Sequence, residues 1–383
     1  MSDILIIAGE HSGDLLGGGL MKSLKSLHPF EFFGIGAEKM KENGLNSLAN
    51  IEDLNVVGFV GALLKYRKLK KIANQIVEIA IKKESKLAIL IDYPGFNLAL
   101  AQMLKEKLPE MKIVFYVSPQ IWAWRYKRIY KIKKLVDLML LLFPFEKKIY
   151  DKENIPNVFV GHPIIERMPG ELKKGKAINL SKTSYKICLM PGSRSGEIKR
   201  LLTIILEAAY QLKLKIESLG KEVEFILPGI SEKEDLYIRE TLDSFEKAHS
   251  NFHVHYEFLN SAKCIESSDQ VIVASGTATL EVAYFEKPMV IIYKNSLLTH
   301  LIGKSLILIP YVGIVNILSE RFICKELIQG DCTAKNIFDE SFKIYSDTNY
   351  KQEMIQNLKQ VRLSLGDGNA SKIASDSILK LIS

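Results

Sequence analysis

Residues 4–27 read ILIIAGEHSGDLLGGGLMKSLKSL, and the same order of patterns returns at residues 187–216. In the second stretch, ICLM is followed by PGSRSGEIKRLLTIILEAAYQLKLKI. Each stretch has a short apolar run, a turn rich in glycine and serine, and a helical pattern. Apolar strands that alternate with amphipathic helices are typical of a parallel sheet covered on both faces. The openings from Gly9 to Leu15 and from Gly192 to Ile198 also align, which supports two Rossmann-like halves.

Further apolar runs continue both series. They are Leu87–Ile91, Lys112–Val117 and Leu138–Phe143 in the first, and Val223–Leu227, Gln270–Ala274 and Met289–Tyr293 in the second. A polar stretch from Met168 to Ser184 separates the series. We therefore predict an N-terminal domain over residues 1–167, a C-terminal domain over residues 168–348 and a helical segment over residues 349–383 that crosses back to the first domain. Such folds bind ligands at the carboxyl ends of their strands, so we expect two α/β domains facing each other across a ligand-binding cleft.

The composition is that of an ordinary globular protein. Of 383 residues, 47% are hydrophobic and 25% are charged, which argues against a disordered chain. No CxxC pair occurs, so neither a zinc site nor a disulfide framework is indicated for the cysteines, which are Cys188, Cys264, Cys324 and Cys332. The N-terminus has no basic region typical of a signal peptide. The longest uncharged stretch, Ser305 to Ser319, is shorter than the about 20 residues of a membrane-spanning helix. We expect a cytosolic protein, or one that lies on a membrane surface.

The net charge of +8 lies mostly in the first half of the chain, since residues 1–165 hold 24 Lys and Arg against 17 Asp and Glu. Two segments carry the excess: LLKYRKLKKIA at residues 63–73 and WAWRYKRIYKIKK at residues 122–134. Three interpretations fit such basic and aromatic segments. They can form a solvated helix face, bind nucleic acid through phosphates and stacked bases, or lie on an anionic membrane with Trp and Tyr at the headgroups.

Two acidic residues stand in turns of the first series. Asp14 ends the turn AGEHSGD at residues 8–14, where it either caps a helix or contacts a ligand. This turn has no GxGxxG pattern and therefore does not indicate NAD. Asp92 directly follows the apolar run Leu87–Ile91 and precedes the residues YPG. An acid at that place is either the N-cap of the next helix or a general base in the cleft.

Two turns of the second series suit a nucleoside diphosphate. PGSRSGE at residues 191–197 offers backbone donors at a helix start and Arg194 as a bidentate cation. It lacks the GK[ST] ending of a P-loop, so ATP hydrolysis is not indicated. ASGTATLE at residues 274–281 again joins a strand end to a helix start. Glu281 either accepts hydrogen bonds from ribose hydroxyls or belongs to a variant of the capping box.

The sequence does not indicate a metal site. It contains no DxD pair of carboxylates, the arrangement that holds a metal in many sugar-nucleotide enzymes. His253 and His255 alternate as in a strand, which favours a structural role. We therefore expect helix dipoles and Arg194 to neutralise the diphosphate, without a metal or a cofactor.

Eight motifs occur in a fixed order along the chain. They are AGEHSGD, IDYPGFN, YVSPQIWAWR, LFPFEKKIY, VGHP, LMPGSRSGEIKRL, ASGTATLE and NIL. In this order, from about residue 3 to about residue 330, the chain resembles the lipid-A-disaccharide synthase family. The resemblance implies a two-domain glycosyltransferase of the GT-B type. Such an enzyme joins UDP-2,3-diacylglucosamine to 2,3-diacylglucosamine 1-phosphate and yields a β(1→6) disaccharide 1-phosphate and UDP.

The resemblance also implies roles for individual residues. Asp92 would be the general base that takes the proton from the acceptor 6-hydroxyl in an inverting reaction. Glu10 and Ser12 fall on positions that the family uses in or near the site. Gly95 stands where some members carry a second Asp, which leaves Asp92 as the single candidate base. The residues expected to bind the UDP-sugar are Gly192, Ser193, Arg194, Ser275, Gly276, Thr277, Glu281 and Asn316.

Both implied substrates are acylated and anionic, which favours the membrane interpretation of the basic segments. The expected membrane and acceptor face consists of Lys68, Lys70, Lys71, Trp122, Trp124 and Arg125. We expect a cytoplasmic protein held peripherally on the inner face of the inner membrane, with no nucleic-acid partner. The resemblance also allows a homodimer, because members of the family form dimers. Two rival classes are a UDP-sugar 2-epimerase or other glycosyltransferase of the same fold, and a non-enzymatic protein that senses nucleotides or binds nucleic acid.

Overall fold

The computed structural model describes residues 3–54, 62–229, 232–294 and 310–383, with only the backbone of residues 62–66. The first part of the uncharged stretch, residues 305–309, and the side chains at the start of the basic segment, residues 63–66, lie outside the described residues. The chain divides into two compact units. The N-terminal unit comprises Met1–Pro163 and Leu365–Ser383, and the C-terminal unit comprises Ile164–Ser364.

The N-terminal unit is built on a parallel sheet. Its strands are β1 (Ile4–Ala8), β2 (Phe32–Ile35), β3 (Leu45–Ala49), β4 (Leu87–Ile91), β5 (Lys112–Tyr116), β6 (Leu138–Leu141) and β7 (Asn157–Phe159). They lie in the order β3-β2-β1-β4-β5-β6-β7. β1 and β4 are buried along their whole length. Strands buried on both faces need continuous apolar sequence. For this reason the strands could be recognised as apolar runs, although apolar and polar residues do not alternate in them.

Helices cover both faces of this sheet. They are α1 (His11–Leu27), α2 (Glu38–Glu42), α3 (Ile51–Leu54), α4 (Ala62–Lys82), α5 (Pro94–Lys107), α6 (Arg128–Leu135) and α7 (Pro144–Lys152). One apolar cluster joins the sheet to α4, α5 and α6 through residues such as Ile76, Ala101 and Ile132. A second cluster joins the opposite face to α1 through Leu20 and Leu24. The basic segments belong to α4 and to the region of α6.

The C-terminal unit repeats this architecture. Its strands are β8 (Tyr185–Met190), β9 (Val223–Gly229), β10 (Val254–Phe258), β11 (Gln270–Ala274), β12 (Met289–Tyr293) and β13 (Glu326–Ile328). They form a parallel sheet in the order β10-β9-β8-β11-β12-β13. The predicted α/β class with two parallel sheets is therefore confirmed.

Among the described residues, the C-terminal unit has one helix before its first strand and further helices after its strands. They are α8 (Ile164–Lys174), α9 (Ser195–Glu217), α10 (Glu232–Ala248), α11 (Ser261–Glu266), α12 (Ala278–Tyr284), α13 (Ile314–Ser319), α14 (Ala334–Ser346) and α15 (Thr348–Ser364). Among them, α9 is the long helix that follows the PGSRSGE turn. It buries one face, including Leu202, Ile205 and Leu212, against the unit's interior.

The borders of the units differ from the predicted ones. The C-terminal unit begins at Ile164, before the predicted border at residue 168, because α8 buries Ile164 and Met168 and contacts α11 and α12. The chain returns to the N-terminal unit at Leu365, after the predicted residue 349. The reason is that α15 buries its apolar residues in the C-terminal unit.

The last helix, α16 (Ala370–Ile382), belongs to the N-terminal unit. Its buried residues Ala374 and Ile378 join the same cluster as α1. Just before α16, the carbonyl of Leu365 accepts a hydrogen bond from the backbone N–H of His162 at 2.7 Å. Gly161 has a φ of +89°, and a Cβ there would lie 3.0 Å from the Leu365 oxygen. Glycine is therefore required where the returning chain passes the end of β7.

Candidate active site

The strand order of each sheet reverses at one point, between β1 and β4 in the N-terminal unit and between β8 and β11 in the C-terminal unit. In open α/β sheets, ligands bind beyond the carboxyl ends of the strands at such a switch point. The four turns that the sequence singled out follow these four strands. The topology therefore brings the predicted residues together within each unit.

Asp92 lies directly beyond β4 in a constrained backbone. Both Asp92 and Tyr93 have positive φ, at +49° and +47°. Left-handed conformations of non-glycine residues cost energy and cluster at functional sites. The Asn97 amide braces this turn, since Nδ2 donates to the carbonyls of Ile91 at 3.1 Å and of Asp92 at 2.7 Å. The N-cap of α5 is Tyr93, so the structure does not support the N-cap role that the sequence left open for Asp92.

The surroundings of Asp92 raise the pKa of its carboxyl. Burial raises the pKa of the half-buried Asp92 carboxyl, the Glu10 charge raises it further, and a backbone hydrogen bond from Tyr93 opposes both. Glu10 is the exposed N-cap of α1. A Cβ on Gly9 would lie 2.5 Å from Cγ of Tyr93, so only glycine lets the turn after β1 pack on that ring. A carboxylate with an elevated pKa is a stronger general base than an ordinary aspartate.

The other residues of the turn after β1 have different surroundings. Asp14 is buried, and its carboxylate accepts backbone hydrogen bonds from Ala37, Lys39 and Met40 at 2.7, 2.9 and 3.1 Å. It therefore caps the start of α2, not its own helix, and is not a ligand residue. Ser12 is exposed in the first turn of α1.

The C-terminal unit holds a cavity of about 540 Å³. Residues from the turns after β8 and β11 line it, and they include Gly192, Ser193, Arg194, Ser275, Gly276, Thr277 and Glu281. Seven of the eight residues predicted to bind the nucleotide sugar thus share one cavity. Gly192 has a φ of +110°, which lets the loop turn away from β8 with its backbone facing the cavity.

Side chains order this cavity in two places. Glu197 turns back onto the loop after β8, where it accepts from the backbone N–H of Ser193 at 3.4 Å and from Arg194 Nη1 at 3.2 Å. Glu281 pairs with Arg167 of α8. Burial raises the pKa of Glu281, while the Arg167 charge lowers it. The cavity thus contains an exposed guanidinium and backbone donors beside the half-buried carboxylate of Glu281.

Asn316 is the predicted binding residue that the structure places elsewhere. It is completely buried, and its amide Nδ2 donates to the Cys324 carbonyl at 2.8 Å and to Glu326 at 2.7 Å. Its Oδ1 accepts from the backbone N–H groups of Ile323 and Cys324. Since both ends of the amide are used inside the protein, the structure does not support the prediction that Asn316 binds the substrate directly.

Glu326 connects Asn316 to the cavity. Its carboxylate accepts from the backbone N–H groups of Val312 at 2.9 Å and Gly313 at 2.8 Å. The Val312 carbonyl in turn accepts from Ser275 Oγ at 3.2 Å. No sequence motif contains Glu326, the first residue of the short edge strand β13.

The predicted membrane face consists of exposed lysines and half-buried aromatic residues. Lys70 and Lys71 are exposed on α4, and Lys68 pairs with Asp53 at 2.8 Å. Arg125 and Arg128 both stack on the Trp124 ring, at 4.5 and 5.1 Å from its centroid. Such stacking keeps the indole of Trp124 beside cationic groups.

Trp122 is held by a buried carboxyl that the sequence analysis also missed. Its Nε1 donates to Glu146 at 3.3 Å, and the backbone N–H of Phe143 donates to the same carboxyl at 3.2 Å. Burial raises the pKa of Glu146 to about 7. The residues FPFE lack the Ser or Thr of a capping box, so no capping motif in the sequence marked Glu146.

The described residues contain no arrangement typical of a metal site or of a membrane-spanning helix. Across residues 3–54, 62–229, 232–294 and 310–383, no group of three or more His, Cys, Asp and Glu is placed to hold a metal ion. Among the described helices, none combines the length and hydropathy that crossing a bilayer requires.

Solved structures define the class of fold. The UDP-GlcNAc 2-epimerase from Neisseria meningitidis, bound to UDP-GlcNAc, matches 99% of this chain and 100% of its own with a TM-score of 0.65 and 13% identity. CalG4, the calicheamicin glycosyltransferase, matches 100% of this chain and 98% of its own with a TM-score of 0.63 and 10% identity. The fold is therefore that of the GT-B glycosyltransferases and related epimerases.

Sequence comparison goes further than the fold. A family model described as lipid-A-disaccharide synthetase matches residues 4–378. A Coxiella burnetii (strain CbuG_Q212) lipid-A-disaccharide synthase is 39% identical over 99% of this chain and 98% of its own length. One from Geobacter sulfurreducens is 36% identical over 99% of this chain and 97% of its own length. The chain belongs to the lipid-A-disaccharide synthetase family, which confirms the resemblance seen in its motifs.

Proposed function

We propose that this chain is a lipid-A-disaccharide synthase that inverts the anomeric carbon of its donor. It transfers the diacylglucosaminyl group of UDP-2,3-diacylglucosamine to the 6-hydroxyl of 2,3-diacylglucosamine 1-phosphate. Membership of the family supports the reaction. The observation that carries the mechanism is the half-buried Asp92 carboxylate beyond β4. Burial and the Glu10 charge both raise the pKa of this carboxyl.

In the proposed reaction, Asp92 takes the proton of the acceptor 6-hydroxyl. The oxygen forms a bond to the anomeric carbon from the face opposite the diphosphate. The bond from that carbon to the diphosphate oxygen breaks, and UDP leaves with the electron pair. The buried surroundings of Asp92 make the proton transfer more favourable than it would be for an ordinary aspartate.

The leaving UDP is assigned to the cavity of the C-terminal unit. The exposed guanidinium of Arg194 and the backbone donors of Gly192 and Ser193 suit the diphosphate, together with the N-terminus of the long helix α9. Glu281 lines the same cavity and suits the ribose hydroxyls. This arrangement stabilises negative charge with protein groups alone.

A turnover assay tests the reaction. Purified protein is given both substrates in detergent micelles, and each substrate alone. We expect a disaccharide 1-phosphate only when both are present, and the same rate after EDTA treatment, since the sequence has no DxD pair. UDP release without the acceptor would contradict the proposal and indicate an epimerase or a hydrolase, and loss of transfer with EDTA would contradict the metal-free mechanism.

The same proposal includes docking on the inner face of the inner membrane. Its support is the excess of exposed Lys and Arg in the N-terminal unit and the aromatic residues beside them. Lysines near an anionic surface each contribute measurably to binding. Replacing Lys68, Lys70 and Lys71 together with Gln is expected to weaken co-sedimentation with vesicles of anionic lipid by about tenfold or more.

A matched variant controls for the loss of charge itself. Lys221, Lys335 and Lys359 are exposed lysines of the C-terminal unit, and their joint replacement with Gln removes the same charge. We expect that variant to sediment with anionic vesicles like the parent protein. Equal sedimentation of both triple variants would contradict docking through α4.

A further inference from the structure

An arginine between two carboxylates forms one wall of the cavity in the C-terminal unit. Arg167 Nη2 lies 2.7 Å from Glu281 Oε1, and Arg167 Nε lies 3.1 Å from Glu171 Oε1. The Glu281 side chain is 19% exposed and that of Arg167 is 32% exposed, so the pair is largely shielded from water. All three residues line the cavity. None of the motifs includes Arg167, which lies 114 residues before Glu281.

Two opposing effects act on the pKa of the shielded Glu281 carboxyl. Burial and the nearby Glu171 carboxylate raise the pKa of Glu281, and the Arg167 charge lowers it. Only an ionised carboxylate is purely a hydrogen-bond acceptor, as two neighbouring hydroxyls require. Arg167 Nη2 donates to Oε1, and the carboxylate keeps further acceptor positions for a ligand in the cavity. The guanidinium thus affects both the charge and the orientation of this carboxylate.

We propose that Arg167 is a positioning residue that makes the cavity select a ribonucleoside diphosphate over its 2′-deoxy analogue. It does so by holding the Glu281 carboxylate in place for the ribose hydroxyls. The inference rests on the proposed function, because UDP is the ligand that the site is assigned to bind. A site built to hydrogen-bond a hydroxyl rejects an analogue without it, since its buried polar group then loses a partner.

The test compares the dissociation constants of UDP and 2′-deoxy-UDP, measured by calorimetry on the full-length protein. In the parent chain we expect 2′-deoxy-UDP to bind about tenfold more weakly than UDP, the effect of one hydrogen bond to a charged group. In Arg167→Ala at pH 8 the ratio of the two constants is expected to fall to about three, because Glu281 is then less well held for the ribose hydroxyls. The Glu281→Gln variant should lower this ratio as well.

Two variants separate positioning from general damage. Arg167→Lys keeps the charge and is expected to retain an intermediate ratio. Glu171→Gln removes the other partner of Arg167 and is expected to keep the full ratio. A melting temperature within a few degrees of the parent confirms that each variant is folded. Where Arg167→Ala does not fold, the comparison of Arg167→Lys with Glu171→Gln decides the question.

The pH dependence of the ratio is a readout that mere packing would not change. The charged groups at the site are Arg167 and Glu171 beside Glu281, with Lys174, Arg194 and Glu197 on the same cavity. Without Arg167, Glu281 is protonated more readily, so the ratio in Arg167→Ala should fall further as the pH decreases from 8 to 6. The ratio also cancels the ionisation of the diphosphate, which both ligands share.

The outcomes distinguish this inference from the proposed function. If Arg167→Ala keeps the parental ratio of the two dissociation constants, or binds UDP more tightly than the parent, Arg167 does not position Glu281 and the inference is overturned. If Glu281→Gln also keeps the ratio, the assignment of Glu281 to the ribose is wrong. A folded parent chain that does not bind UDP would overturn the proposed function, and this inference with it.

Discussion

The turns after β1 and β8 share a sequence pattern but differ in what their acidic residues do. Both read Gly, two residues, Ser, Gly, an acid and an apolar residue. In the N-terminal unit, the acid is Asp14, which is buried and accepts three backbone hydrogen bonds at the start of α2. In the C-terminal unit, it is Glu197, which turns back onto Ser193 and Arg194 of its own loop.

The difference shows that the neighbouring turn decides what such a motif can bind. After β1, the ring of Tyr93 fills the space beside Gly9. After β8, Gly192 lines an open cavity together with the turn that follows β11. The first turn is therefore closed, because it packs against Tyr93, the residue next to Asp92. The second remains open and suits an anion.

The largest effect is expected from Asp92→Asn, because it removes the proposed base and leaves the cavity of the C-terminal unit intact. Asparagine tolerates the left-handed backbone at this position. Loss of a general base lowers turnover by about 10²–10⁴-fold. We expect that loss in the two-substrate assay, with the affinity for UDP unchanged.

Glu106→Gln is the matched control for this variant, since Glu106 is an exposed carboxylate on the same helix, α5. It should retain parental turnover. Near-parental turnover in Asp92→Asn would remove Asp92 from the mechanism and with it the assignment of the base to the N-terminal unit.

The next effect concerns stability. Asp14→Ala leaves the backbone N–H groups at the start of α2 without their acceptor inside the protein. A lost cap together with unsatisfied buried donors costs about 2–4 kcal/mol. We expect a clearly lower midpoint of urea unfolding. Glu197→Ala, the equivalent change in the second turn, should shift that midpoint little, and equal shifts would show that the two acids do the same work.

Much of the fold could be predicted because buried parallel strands are continuous apolar runs. β4, β11 and β12 have the bounds of three such runs. Most residues of the predicted site lie in the turns that directly follow β1, β4, β8 and β11, so their position in the fold could also be predicted. A short-range sequence pattern was sufficient to predict those features that consist of one strand and the turn that follows it.

The remaining features depend on contacts between distant parts of the chain. Asn316 was predicted to bind the substrate. In the folded protein its amide makes hydrogen bonds to Ile323, Cys324 and Glu326, and no spacing rule in the sequence predicts these contacts. The pair of Arg167 and Glu281 is likewise visible only in the folded protein. The unit borders also depend on which core a helix packs into, and amphipathic sequence alone does not contain that information.

A smaller effect is expected on the pH profile when Glu10 is changed. Asp92 must be ionised to act as a base, so turnover rises as the pH increases through its elevated pKa. Glu10→Gln removes a negative charge that raises this pKa. The acid limb of the profile should therefore move to lower pH, by less than about one unit because Glu10 is exposed and screened.

Ionic strength provides the control for this shift. The difference between Glu10→Gln and the parent should shrink at high salt, where charges on the surface are screened. A limb that stays in place at low salt, or moves to higher pH, would show that Glu10 does not act on Asp92 through its charge.

The smallest effect is expected from Glu197→Gln, which tests the open turn directly. The Glu197 carboxylate interacts with Ser193 and Arg194, two of the groups assigned to the diphosphate. To bind there, a diphosphate must replace the Glu197 carboxylate as the acceptor of these hydrogen bonds, and it is repelled by the negative charge of that carboxylate. Because exposed ion pairs are weak, removing the charge should tighten UDP binding by only about threefold, as measured by calorimetry. Weaker binding would instead mean that Glu197 supports the loop, as Asp14 supports α2, and the contrast between the two turns would be lost.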